Sequence, residues 1–240
     1  MSSVASESIT VAGEEGIRVS GLLQTPSDAR ACYVLAHGAG AGMQHPFMAA
    51  VAAELAQRGI ATLRYQFPYM ENHAKRPDSP AVAQATVRAA VEAALRLLPG
   101  MPLVAGGKSF GGRMTSQAQA SVPLRGVCGL AFLGFPLHPA GRPSRDRAEH
   151  LFDVQIPMLF LQGTRDALAT LDQLEPVCRE LGSRATLTLF TDADHSFHVP
   201  ARTGRKDSQV RSDMLDALAA WIDDVIAGPA GKRAQPAIGS

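Results

Sequence analysis

Residues 103–116 read LVAGGKSFGGRMTS, and the parsing of this stretch decides the fold. Parsed as G-K-S, it ends a phosphate-cradling loop; parsed as G-x-S-x-G across Gly107, Lys108, Ser109, Phe110 and Gly111, it sets a serine on a sharp strand-to-helix turn. A phosphate loop needs a glycine five residues before the glycine of G-K-S, and Pro102 stands there. Proline has no N–H to donate and a fixed φ, so it would spoil the cradle. The later strands end in Leu-Gly-Phe, Gln-Gly-Thr and Thr-Asp-Ala, none with an aspartate where a nucleotide-bound magnesium would need it. The serine parsing fits the same residues. A nucleophile lifted above a sheet edge leaves no room for side chains two positions before or after it, and both positions are glycine. A helix running from Phe110 to about Ala120 would then turn its free N–H groups and positive end toward Ser109.

A serine of this kind needs a base and an acid, expected in the order Ser, Asp or Glu, His at the ends of later strands. MLFLQGTRD runs into Asp166 and TLTLFTDADHSF runs into His195. A lone Asp after a strand is usually a turn residue and a lone His usually structural, but three residue types in this order, each after its own strand, mark Ser109, Asp166 and His195 as the catalytic candidates. Asp192 and Asp194 compete for the acid role from within the histidine's own loop and read as loop-shaping residues. In LAHGAGAG a strand ends at Ala36 and opens into small residues, so a backbone N–H can approach the nucleophile. Ala39 and Phe110 are the expected oxyanion donors, with Gly40 the next choice and also a candidate substrate contact. His37 reads as a loop anchor.

Outward from these motifs the chain alternates. Ser8 to Ala12 and Ile17 to Thr25 form an expected antiparallel pair around a Gly-Glu-Glu-Gly turn. After them, short β-rich runs at 31–36, 60–65, 103–106, 127–133, 158–162 and 186–190 alternate with helical runs, the pattern of a mostly parallel sheet covered on both faces. Ser79-Pro80 opens a helix over 81–98 that Pro99-Gly100 closes, and Asp207 or Ser208 caps one reaching Ala227. The expected organisation is one α/β domain over residues 1–227, without a cap domain, followed by a disordered Gly/Pro/Ala-rich tail over 228–240.

Composition excludes several functions. The 240 residues are 46% hydrophobic, and 23 basic against 22 acidic residues leave a formal charge of +1, so nucleic acid is not an expected partner. There is no leader-like segment and no run of the roughly 20 apolar residues that a membrane helix needs, which points to a cytoplasmic protein without a membrane partner. Cys32, Cys128 and Cys178 have no C-x-x-C spacing and the histidines no zinc spacing, so neither metal nor cofactor is expected.

Taken together, HGAGAGM, RYQFPYME, GGKSFGGRM, LGFPLHPAGRP, QGTRD and DADHSF resemble the α/β-hydrolases over nearly all of the chain up to about Ala227. More narrowly they resemble a bacterial group of dienelactone-hydrolase-like proteins related to testis-expressed and KANSL-type hydrolase-like proteins. Dienelactone hydrolases proper use a cysteine nucleophile; serine at position 109 implies ordinary ester hydrolysis instead. The expected activity is therefore that of a serine esterase acting on a small carboxylic ester or thioester. The alternatives are a noncatalytic protein-binding module, the role of some eukaryotic relatives, or a peptidase or acyltransferase using the same three residues. Three segments follow strand C-termini and are candidate pocket walls: Met43, His45, Pro46 and Phe47; Phe67, Pro68, Tyr69 and Met70; Phe135, Pro136, Leu137 and His138. Of these, Met43, Tyr69, Phe135 and Leu137 are the expected substrate contacts.

Overall fold

A computed structural model describes residues 4–14 and 16–231. Eight strands form one sheet: β1 (Glu7–Ala12), β2 (Arg18–Gln24), β3 (Ala31–Ala36), β4 (Ile60–Tyr65), β5 (Leu103–Lys108), β6 (Val127–Leu133), β7 (Met158–Gly163) and β8 (Ala185–Phe190). Their spatial order is β1-β2-β4-β3-β5-β6-β7-β8. β1 and β2 run antiparallel to each other, β2 runs antiparallel to β4, and every remaining pair is parallel. The run lengths read from the sequence match these strands to within two residues at each end.

The central strands lie under helices on both sides, and this is why they read as continuous apolar runs. β3 and β4 are buried at every position, whereas the edge strand β8 exposes two of its six residues. One face is covered by α3 (Pro80–Leu97), α4 (Phe110–Ser121) and α5 (Leu171–Leu181), the other by α1 (Pro46–Ala56) and α6 (Asp207–Gly231). Phe132, Phe135 and Phe160 interlock on the first face; Tyr33, Leu35, Met48 and Leu55 pack on the second. Each such side chain contributes about 1.5–3 kcal/mol when fully removed from water. α2 is a single turn, Pro68–Glu71.

Local chemistry sets the helix ends. Ser79 Oγ accepts the Val82 N–H at 3.4 Å and Pro80 fills the first turn, where its missing N–H costs nothing. Arg88 of α3 donates to the carbonyls of Ala118 and Val122 at the far end of α4, pinning this helix to its neighbour. α6 breaks at Gly228, which adopts φ 63°, one residue after the expected stop. Residues 232–240, most of the expected disordered tail, lie outside the described residues. No helix among the described residues is long and apolar enough to cross a membrane.

The segment between β6 and β7 carries only a 3₁₀ helix, Asp146–Asp153, and no cap domain. A Pro/Arg-rich piece, Pro136 to Pro143, opens this segment. Only its second half is exposed: Pro136, Leu137 and His138 are buried, with the His138 N–H bonded to the Leu168 carbonyl at 2.9 Å.

Candidate active site

Ser109 sits between the end of β5 and the start of α4 with φ 49° and ψ −115°, a backbone conformation that costs a non-glycine residue about 1–3 kcal/mol. The surrounding packing enforces it. A Cβ on Gly107 would lie 2.2 Å from the Ala36 carbonyl oxygen, and one on Gly111 would lie 2.5 Å from that of His37. Both contacts are with backbone, which cannot swing aside. Thus the two glycines let β5 and α4 close on β3, and the serine takes up the strain.

Three strand ends converge here. Ser109 Oγ lies 2.8 Å from His195 Nε2, and His195 Nδ1 lies 2.6 Å from Asp166 Oδ2. The Asp166 side chain is fully buried and that of His195 is 22% exposed, so the imidazole bridges a dry carboxylate and an accessible hydroxyl. The carboxylate is also fully engaged. Its Oδ1 accepts the Leu168 N–H at 2.8 Å, while Oδ2 accepts from Gln162 Nε2 as well as from the imidazole. With Nδ1–H donated to Asp166, Nε2 keeps its lone pair for the serine.

Gln162 was missed by sequence reasoning. Its Oε1 accepts the Phe135 N–H at 2.9 Å and its amide holds Asp166, so one fully buried side chain ties the loop after β6 to the acid after β7. The signal was there: a glutamine inside the apolar run MLFLQG must find partners when buried.

Asp192 and Asp194 shape the histidine loop. Asp194 Oδ1 accepts the N–H groups of Ser196 and His198 at 2.7 and 3.0 Å, and Asp192 occupies a left-handed turn position with φ 59°. His37 is an anchor: its Nδ1 bonds the Gly38 carbonyl at 2.9 Å and its Nε2 accepts the Phe67 N–H at 3.1 Å. Burial holds this imidazole neutral by depressing its pKa to about 4. Burial, reinforced by the Arg113 cation, does the same for His150, whose Nε2 meets Ser116 Oγ at 2.7 Å.

These two histidines give a stability prediction. Unfolded, each takes up its proton near 6.5; folded, each resists until about 4. Their contribution is therefore fully present above about pH 6.5 and is lost as pH falls from there toward 4. The urea midpoint should drop between pH 7 and pH 4.5, and the drop should be shallower in His150→Gln. Identical slopes in parent and variant would count against it.

A cleft of about 540 Å³ opens beside Ser109 and His195. Ala39, Ala41, His45 and Phe47 form one side of it, and Lys108, Leu168 and Ser196 complete the rim. Ala39, proposed from sequence as an oxyanion donor, thus faces the cleft, and Phe110 is the first residue of α4, whose N–H has no partner within the helix. The expected substrate contacts lie elsewhere. Gly40, Met43, Tyr69, Phe135 and Leu137 are not among the lining residues. Phe135 and Leu137 turn inward to the core because their strand end faces α4 and the 3₁₀ helix. Tyr69 stacks in a cluster with Phe67 and Phe110. Met43 is held by its backbone, its N–H donating to Gln66 Oε1 at 2.9 Å and its carbonyl accepting from Arg64 at 3.1 Å. The three cysteines are free and none lines the cleft; burial pushes the thiols of Cys32 and Cys178 up to about 12, so they stay protonated.

Solved structures share this architecture. A dienelactone hydrolase from Anabaena variabilis superposes with a TM-score of 0.75 at 20% identity, covering 91% of this chain and 97% of that one. An α/β serine hydrolase from Xanthomonas campestris, described as having no lid, gives 0.70 at 23% identity, covering 92% and 97%. The esterase domain of a Rhodothermus marinus protein gives 0.68 at 17% identity, covering 90% and 97%. At these identities the likeness is one of fold. The sequence itself goes further: residues 29–223 match the family described as "Alpha/beta hydrolase domain", so this chain belongs to the alpha/beta hydrolases.

Proposed function

We propose that the protein is a serine hydrolase that cleaves carboxylic esters, or thioesters, through an acyl-enzyme on Ser109. The observation that carries this reading is the unbroken hydrogen-bonded chain from Ser109 through His195 to buried Asp166, opening on a cleft. In the first half-reaction Ser109 Oγ attacks the acyl carbonyl while His195 Nε2 takes its proton; the C–O or C–S bond then breaks and the same proton passes to the leaving group. In the second, water attacks the acyl-serine with His195 again as base, releasing the acid. Asp166 stabilises the imidazolium throughout. Negative charge on the carbonyl oxygen is met by the N–H groups of Ala39 and Phe110. The test is a fluorophosphonate probe: covalent labelling at Ser109 supports the reading, and an unlabelled folded protein means a noncatalytic binding module.

Substrate size follows from the cover over the site. With only a 3₁₀ helix between β6 and β7 and a cleft of about 540 Å³, most of a long acyl chain stays in water. Each unburied CH₂ forfeits about 0.8 kcal/mol. On p-nitrophenyl esters from acetate to palmitate, kcat/KM is expected to peak at short chains without activation at a lipid interface. A maximum at palmitate would overturn the expectation.

A further inference from the structure

Lys108 is the one cation lining the cleft among the described residues that the mechanism above leaves unused. It immediately precedes Ser109, yet its side chain reaches the residue that pairs with the serine: Nζ donates to the backbone carbonyl of His195 at 2.6 Å. A Cβ on Gly134 would lie 3.1 Å from this ammonium and 3.4 Å from the His195 ring, so amine and imidazole share one small space. Phe197 supplies a ring face 5.7 Å from Nζ. The segment so gripped is strained, with non-glycine left-handed residues on both sides of the histidine, Asp192 at φ 59° and Phe197 at φ 62°. Such a loop keeps one shape only when its surroundings over-determine it. Asp194 restrains it from within. Lys108 is the restraint that comes from the nucleophile's own strand.

We infer that Lys108 is a positioning residue for the catalytic base: its ammonium clamps the His195 carbonyl and so fixes Nε2 at bonding distance from Ser109. The inference rests on the acyl-transfer reading of Ser109 and His195. A charge-assisted bond to a carbonyl is stronger than a neutral one, so the clamp depends on the proton at Nζ. Desolvation lowers the Lys108 pKa to about 8, against the pull of Asp166 and Asp194, while the His195 ring faces the same space. The clamp therefore weakens as pH rises through about 8.

The test compares the parent chain with Lys108→Met, a side chain of similar length without charge. Expected for the variant are a fall in kcat of about 100-fold at pH 7, KM within about twofold, and a parallel slowing of fluorophosphonate labelling, since misplacing a catalytic group by about 1 Å costs this much. The parent's kcat should decline on the alkaline side near pH 8, and this limb should be absent from the variant; a role confined to stability would not remove it. A second variant, Lys108→Cys, alkylated with 2-bromoethylamine to restore an ammonium at nearly the same reach, should recover most of the rate and the alkaline limb. The parent treated alike controls for Cys128. If the parent labels at Ser109 but Lys108→Met labels at the parent's rate, or if the alkaline limb persists unchanged, the inference fails alone. A parent that does not label takes the acyl-transfer reading down with it. If Lys108→Met fails to fold, the aminoethylated cysteine variant decides, and its failure to regain rate over the unalkylated form overturns the inference.

Discussion

Ser109→Ala is expected to lose all fluorophosphonate labelling and to turn over esters roughly 10⁴-fold or more slowly, while staying folded. The loss is large because the remaining oxyanion donors and the cleft can hold a substrate but cannot replace the covalent step. Folding should survive because the hydroxyl's partner is His195 Nε2, at the edge of the cleft, where water can take its place. Alanine also inherits the backbone strain at φ 49°, so any change in the unfolding midpoint should be small. Near-parent turnover in a preparation free of contaminating esterase would remove Ser109 from the mechanism.

Asp166→Asn should lower kcat by on the order of 10⁴-fold, against a much smaller loss for Asp194→Asn. The difference lies in how many donors each carboxylate receives. Three N–H groups converge on Asp166, from Leu168, Gln162 and His195, on both oxygens. An amide placed there must turn its own NH₂ toward at least one of those donors whichever way it is flipped. The imidazole then loses its tautomer or its orientation. Asp194 accepts both of its N–H groups on Oδ1 alone, so asparagine keeps both bonds with its amide oxygen. Steady-state kinetics on the two variants, with circular dichroism as a check on folding, separates them. Equal losses, or a larger loss at Asp194, would move the acid into the histidine loop.

Much of this architecture could be read without coordinates because its causes are local. Strand spacing follows from alternation of apolar runs and helix formers, and the runs at β3, β4 and β6 were read to the residue. The glycines around Ser109 report a steric demand that lies within a few residues of the serine. The order Ser109, Asp166, His195 follows from strand succession, so the three residues could be named although they lie far apart in the chain.

What only tertiary structure decided is which way side chains turn once the chain leaves a strand. Met43, Tyr69, Phe135 and Leu137 carried the right chemistry for pocket walls and sat at the right sheet edge, but the fold buries all four, and Tyr69, Phe135 and Leu137 join the core on the face under α3, α4 and α5. The cleft is lined by His45 and Phe47 of the first candidate segment and by residues such as Leu168 and Ser196, which no periodicity distinguishes from other loop residues. Gln162 and Lys108 show the same limit from the polar side. A sequence reveals that a buried amide or ammonium must find a partner, but not which one. Here the glutamine joins Asp166, four residues on, to Phe135 beyond the neighbouring strand, and the lysine on β5 reaches His195 after β8, with two strands between them. Periodicity and steric exclusion act over a few residues and are written in the sequence; the partner of a buried polar group is chosen by contacts between distant strands, and those exist only in the folded chain.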